Sequence, residues 1–190
     1  MPGTSIERLL QEVGAVMAGH FLLTSGRHSP IYFEKFRFLE YPRQTARLAR
    51  NIARHFKDAG VSVVAGPTTG GVIVAYEVAR QLGVRSIYAE RSEGDARTFR
   101  RGFTVAPGEA VLVVDDVVTT GGSLLAMIDA VAEIGGKVVG VGVIIDRAEE
   151  PVSLGVPYYA CHVIRLPAYA PTHCPQCRDG MPLTAPGRGV

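Results

Sequence analysis

The sequence predicts an α/β fold, a parallel sheet flanked by helices, and three segments carry that expectation. VLVVDDVVTTGGS (residues 111–123) is an apolar run, an acidic pair and a glycine-rich turn. After it, LLAMIDAVAEI sets Leu124, Leu125, Ile128, Val131 and Ala132 at helical spacing. VSVVAG, the turn GPTTGG and VIVAYEVARQLG repeat the order of strand, glycine turn and helix over residues 61–83. KVVGVGVIIDR (137–147) is a further apolar strand. Runs of this kind, without alternation, belong to strands buried on both faces. Two strand–turn–helix units in one chain are what a parallel sheet is wound from.

The remaining elements follow in chain order. Thr4 and Glu7 are spaced as a capping box, and Ile6, Leu9, Leu10, Val13 and Met17 form the apolar face of a first helix that Gly19 would stop. HFLLTSGRHSPIYFEKF reads as a strand, a turn at Ser25-Gly26 and a second strand at Ile31–Phe33. Pro42 opens a helix with Leu48, Ile52 and Phe56 inward. RSEGDARTFRRG has no apolar period and reads as a long loop, of the kind that serves as a lid, followed by the strand-like FTV. YYACHVIRL is a last strand, and the Pro- and Gly-rich remainder reads as an irregular tail.

Composition narrows the class. At 190 residues the chain suits one domain with a sizeable core. An apolar fraction of 47% and a charged fraction of 20% fit a soluble globular chain. A net charge of +2 makes no demand for nucleic acid or an anionic membrane. No apolar run nears the ~18 residues of a membrane span. MPGTSIERLLQEV lacks the basic start and apolar block of a secretory signal, so the cytoplasm is the expected compartment. Basic residues are 17 Arg against 3 Lys, a bias of GC-rich or thermophilic sources.

The acidic pair points to chemistry. A glycine-rich turn opening a helix aims backbone N–H groups at one spot and suits a phosphate. Asp115 and Asp116, expected at the strand end outside the core, would repel that phosphate but accept hydrogen bonds from a polyol or hold a divalent metal. The combination asks for a sugar phosphate. Cys161, Cys174 and Cys177, an odd number, make no disulfide framework. Cys174 and Cys177 form a Cys-x-x-Cys, half of a zinc site, with Cys161, His162 and His173 as further ligands if the tail folds back; the alternatives are reduced thiols or a disulfide.

VLVVDDVVTTGGS resembles the phosphoribosyl pyrophosphate signature of type I phosphoribosyltransferases. LTSGRHSPIYF is similar to the N-terminal segment of orotate phosphoribosyltransferases, IIDR to the segment holding their orotate-binding arginine, and CPQC with GMPL to the tail of one bacterial branch. The resemblance implies a type I phosphoribosyltransferase-like parallel sheet flanked by helices, with a small N-terminal hood. Residues 1–190 would be one such domain: hood mainly 1–40, core 41–165, irregular tail 166–190.

It also implies roles. Asp115 and Asp116 would bind the ribose hydroxyls, directly or through a metal-bound water. Val117, Val118, Thr119, Thr120, Gly121, Gly122 and Ser123 would hold the 5′-phosphate side, with Thr119 also near the base. Residues 66–71, including Thr69 and Gly70, would face the pyrophosphate. Arg147 would pair with the orotate carboxylate, helped by backbone around Tyr32 and Phe33. Mg²⁺ on the pyrophosphate and a homodimer are implied as well. The sequence departs from the family where relatives carry lysines and a histidine in the middle loop and a lysine in the first glycine loop. Here Arg91 aligns best with the pyrophosphate-contacting arginine, and Arg97, Arg100 and Arg101 are the other cations at hand.

Two rival readings share the signature. A purine-base phosphoribosyltransferase would need neither Arg147 nor SGRHSPIYF, and a regulator sensing phosphoribosyl pyrophosphate would want a winged helix or basic patch that this nearly neutral chain lacks. A Walker-type nucleotidase is excluded, since no glycine loop is followed by Lys-Ser/Thr.

Overall fold

In the computed structural model, which describes residues 5–23 and 25–186, the first helix is shorter than its apolar spacing suggests. α1 runs Ser5–Glu12 and buries Leu9 and Leu10. Gly14, at φ 68°, ends it, and the amides of Val13, Gly14 and Ala15 bond back to the carbonyls of Leu9, Gln11 and Leu10. Met17 and Gly19 therefore lie not on that helix but in β1 (Val16–Leu22), paired antiparallel with β2 (His28–Phe33). Thr4 of the expected capping box lies outside the described residues. A one-turn helix, α2 (Phe36–Leu39), buries Phe38 and Leu39; four residues are too few to show a period in sequence.

The chain divides into two compact units, residues 1–40 with 165–190, and residues 41–164. The tail is less irregular than its composition suggests. Tyr169 and His28 exchange backbone hydrogen bonds, Phe21 and Thr184 form a second bridge in which the Leu22 amide donates to the Thr184 carbonyl at 2.8 Å, and Pro175–Arg178 makes a short helix. Pairing with the β1–β2 hairpin satisfies backbone groups that a Pro- and Gly-rich segment cannot satisfy internally.

The second unit begins with α3 (Pro42–His55), opened by proline at its first position, with Leu48 and Ile52 buried and Phe56 buried just beyond its end. There follow β3 (Val63–Pro67), α4 (Gly70–Leu82), β4 (Arg85–Arg91), β5 (Arg97–Phe99), β6 (Ala110–Val118), α5 (Gly122–Glu133), β7 (Lys137–Asp146) and β8 (Tyr158–Val163). The six strands order as β5-β4-β3-β6-β7-β8, all parallel except β5. Val111 and Val113 of β6 pack with Leu124, Met127 and Val131 of α5. By the period-2 alternation Leu112 and Val114 point to the other face. On β7, Gly140 and Gly142 leave the room that Phe56 and Ile52 occupy.

Two expectations for the middle segment are corrected. RSEGDARTFRRG is not one long loop: β4 and β5 form an antiparallel hairpin with only residues 92–96 as its tip, because Ala89, Glu90 and Arg91 pair with Phe99, Thr98 and Arg97. FTV is not a strand. Phe103 and Val105 pack against the core, Phe103 edge-on to Tyr88 at 5.1 Å, without joining the ladder.

Candidate active site

The winding of the sheet fixes where a ligand can sit. From β3 the chain proceeds through α4 outward to β4, whereas from β6 it proceeds through α5 the opposite way to β7. The direction reverses between β3 and β6, and open α/β sheets bind their ligands at the carboxyl ends of the strands at such a point. The two glycine-rich turns, residues 66–71 and 119–123, follow these two strands. On the β3 side the β6 ladder stops at Ala65↔Val113, while on the β7 side it continues to Val118↔Asp146. The last residues of β6 are thus paired on one edge only.

Asp115 and Asp116 occupy that stretch. They lie inside β6 rather than beyond it, and both are buried, Asp116 to 1% exposure, which corrects the expectation of a position outside the core. The strand reaches past the acids because β7 pairs with it there. One oxygen of each carboxylate accepts the next residue's amide, Asp116 N–H to Asp115 Oδ1 at 2.8 Å and Val117 N–H to Asp116 Oδ1 at 2.6 Å. These short local bonds hold both side chains close to their own strand. Val117 is half-buried, and Val118 is part of the core, so its share in any site is its backbone.

The first turn packs against the acids. A methyl group placed on Gly71 would lie 3.0 Å from Asp115 Oδ1 and 2.5 Å from Pro67 Cδ, and one on Gly66 would lie 2.2 Å from the Gly71 carbonyl oxygen. Only glycine permits this closeness. Thr69 is exposed just ahead of Gly70, the first residue of α4, and the Thr68–Thr69 peptide is cis. In the second turn Gly121 stands at φ 84° before α5, with Thr119, Thr120 and Gly122 exposed. The first-turn amides of a helix have no acceptor within it, so an anion seated there completes them.

The arginines separate into distinct settings. Arg97 Nη2 donates to Ser123 Oγ at 3.0 Å, joining β5 to the start of α5. Arg91 pairs with Asp95, and Arg101 and Arg100 reach Glu90 at 2.8 and 3.6 Å. Register sets Arg91 directly opposite Arg97. Sequence alone ranked Arg91 first; Arg97, anchored to the second turn, was no more than one of several, because its hairpin partner strand was not visible.

Arg147 follows the last residue of β7, and its amide donates to the Val118 carbonyl at 2.9 Å, so it lies beside the start of the second turn. Buried Asp146 shapes this corner, accepting from the Ala148 amide at 2.8 Å and the Tyr158 hydroxyl at 3.1 Å. Tyr32 and Phe33 belong to the first unit. Phe33 is buried against Phe38, and half-buried Tyr32 packs against Phe21.

The sheet order, the two glycine-rich turns and the buried acidic pair agree with what similar proteins show. The sequence matches the phosphoribosyl transferase domain over residues 38–164. It is 48% identical over 187 residues to the orotate phosphoribosyltransferase of Pelotomaculum thermopropionicum, covering 98% of each chain. The chain belongs to the phosphoribosyltransferase family. Among solved structures, this phosphoribosyltransferase resembles orotate phosphoribosyltransferase from Mycobacterium tuberculosis H37Rv, with a TM-score of 0.70 and 29% identity over 84% of this chain and 94% of that one. It also resembles the UMP synthase of Leishmania donovani (TM-score 0.66, 26% identity, 85% of this chain), of which it spans 37%.

The expected zinc ligands are partly corrected. Cys174 and Cys177 do lie in a cluster of metal-binding side chains, but their companions are His20 and His28, not Cys161, His162 or His173. Cys161 belongs to the second unit, where its thiol faces the Leu48 carbonyl and burial pushes its pKa up to about 12. The histidine of each hairpin strand together with the Cys-x-x-Cys was the signal available in sequence. Among the described residues no helix is long and apolar enough to cross a membrane.

Proposed function

We propose that this phosphoribosyltransferase acts on orotate, transferring ribose 5-phosphate from phosphoribosyl pyrophosphate to give orotidine 5′-phosphate and pyrophosphate, a step of pyrimidine nucleotide (UMP) synthesis. The observation that carries the reading is the placement of Arg147. It stands against the end of β6, one residue from the turn that suits the 5′-phosphate, at the sheet edge that holds the acidic pair. A guanidinium there can grip a planar carboxylate with two parallel hydrogen bonds. A purine base has no carboxylate to offer, which disfavours the purine reading.

In the transfer the C1–pyrophosphate bond breaks, the bond from the base nitrogen to C1 forms on the opposite face, and the nitrogen's proton leaves to solvent. The sugar passes through oxocarbenium character, so the protein's work is to orient the reactants, neutralise the leaving anion and exclude water. Asp115 and Asp116, braced by their own backbone bonds, accept from the ribose hydroxyls. Amides of residues 119–123 take the 5′-phosphate, and residues 66–71 face the pyrophosphate. Arg91 and Arg97, like charges directly opposite each other, gain from an anion laid between them.

Mg²⁺ fits this donor set, since hard carboxylate oxygens and phosphates with retained water are its usual surroundings. When bound it would neutralise charge on the departing pyrophosphate, with Asp115 and Asp116 receiving hydrogen bonds from its water. A cytoplasmic homodimer, in which the 91–101 hairpin reaches the neighbouring site, completes the reading. The test is loss of orotate absorbance with phosphoribosyl pyrophosphate and Mg²⁺, with adenine and hypoxanthine run in parallel. Turnover of a purine in preference to orotate would overturn it.

A further inference from the structure

The first unit holds a second cluster of chemistry that the transfer reaction does not use. His20, His28, Cys174 and Cys177 each aim a ligand atom at one spot, and these four atoms all lie within 4.8 Å of one another. Local structure assembles them. The register of the β1–β2 hairpin shifts between Ala18 and Phe21, and bulges of this kind re-aim a side chain. His20 lies in that irregularity. His28 begins β2 after the turn, and Cys174-Pro175-Gln176-Cys177 opens the short tail helix. Gln176 Nε2 donates to the Gly19 carbonyl at 2.6 Å, which holds the tail helix against the bulge.

We propose that these four side chains form a structural zinc site. Four of the six separations between these atoms are near a tetrahedron's edges. With Zn–N near 2.0–2.1 Å and Zn–S near 2.3 Å, the edges are about 3.3 Å between nitrogens and about 3.5 Å between nitrogen and sulfur. Here His20 Nε2 and His28 Nδ1 are 3.1 Å apart, His28 Nδ1 and Cys177 Sγ 3.2 Å, His20 Nε2 and Cys174 Sγ 3.4 Å, and His20 Nε2 and Cys177 Sγ 3.6 Å. His20 Nδ1 lies 2.9 Å from the Met181 carbonyl, which can only accept, so the proton sits on Nδ1 and Nε2 presents its lone pair to the cluster. A ligand histidine that donates its other ring nitrogen to a carbonyl is the usual outer-sphere arrangement of a zinc site.

Charge and burial agree. His20, His28 and Cys174 are buried. Two thiols lose their protons to solvent as the ion binds, and two thiolates with one Zn²⁺ make a neutral centre that can be buried without an unpaired charge. Two nitrogens and two sulfurs in this geometry select zinc over the oxygen-preferring Mg²⁺. All four positions are filled by the protein, so the site has no open position for water and its work is to tie the tail to the hairpin.

The test uses the full chain, purified under reducing conditions and weighed by native mass spectrometry. One zinc per chain is expected, and cobalt added to stripped protein should give the d–d bands of a tetrahedral thiolate site. Cys177→Ser, at an exposed position, should fold, lose at least tenfold in zinc affinity and show no fall in Tm on chelation, whereas chelation should lower the Tm of the wild type. Wild-type protein without metal and without the cobalt spectrum would overturn the proposal. So would a Cys174–Cys177 disulfide in place of the metal, or full zinc retention by Cys177→Ser.

Discussion

Gly71→Ala asks whether the closeness of the first glycine turn to Asp115 is what the reaction needs. The added methyl would lie 2.5 Å from Pro67 Cδ, and ordinary contact begins at 3.4 Å, so the two must part by 0.9 Å. Pro67 ends β3 and cannot yield by rotating a side chain; the turn itself must move. Overpacking of this kind costs about 1–3 kcal/mol, and alanine's better helix propensity at the start of α4 returns about 1 kcal/mol. The net loss of up to about 2 kcal/mol corresponds to a Tm lower by about 4–8 °C at most for a chain of this size. Catalysis should suffer more. A displacement near 1 Å in a positioning element can cost ~10²-fold, so kcat/KM for phosphoribosyl pyrophosphate should fall about 10- to 100-fold. The KM for orotate should move much less. Initial rates from orotate absorbance, with each substrate varied in turn, separate the two, and calorimetry gives the Tm. A folded Gly71→Ala protein with unchanged kcat/KM would refute the role given to this contact.

Arg147→Lys keeps the charge but loses the two-pronged grip, so KM for orotate should rise and kcat fall, with KM for phosphoribosyl pyrophosphate little changed; equal losses for both substrates would mean a structural role. Arg97→Ala removes the bond to Ser123 and should raise KM for phosphoribosyl pyrophosphate about tenfold or more, an effect that Arg100→Ala, paired with Glu90 instead, should not reproduce in steady-state kinetics. Asp116→Asn replaces a buried carboxylate by an amide of the same shape and should leave a folded protein with little turnover. Mixed with a loop-arginine variant it should regain part of the activity through hybrid dimers, and a fully active monomer by light scattering would contradict that arrangement.

What the sequence disclosed depends on how local each cause was. The strand–turn–helix units around residues 61–83 and 111–133 were legible because hydrophobic period, glycines and acids all lie within one short window. The boundary of β6 was not, since Asp115 and Asp116 stay in strand conformation only through pairing with β7, whose Val143 and Ile145 stand 28 positions on from Asp115 and Val117. The β4–β5 hairpin was hidden for a like reason: an edge strand of three half-buried residues has no apolar face to betray it. Gly14 overrode the helical spacing of Met17 with a single positive φ. The His20–His28–Cys174–Cys177 cluster joins residues up to 157 positions apart, and the Cys-x-x-Cys pointed to it while leaving its partners open.

The central claim is that a site for a ribosyl pyrophosphate and a site for a carboxylate-bearing base share one sheet edge. Its most direct measurement is the ratio of kcat/KM for orotate to that for uracil, the same ring without the carboxylate, at saturating phosphoribosyl pyrophosphate and Mg²⁺. Uracil forgoes the two charge-assisted hydrogen bonds of the carboxylate, each worth about 1.5–3 kcal/mol, so the account predicts a ratio of at least about a hundredfold. Comparable turnover of uracil would contradict it.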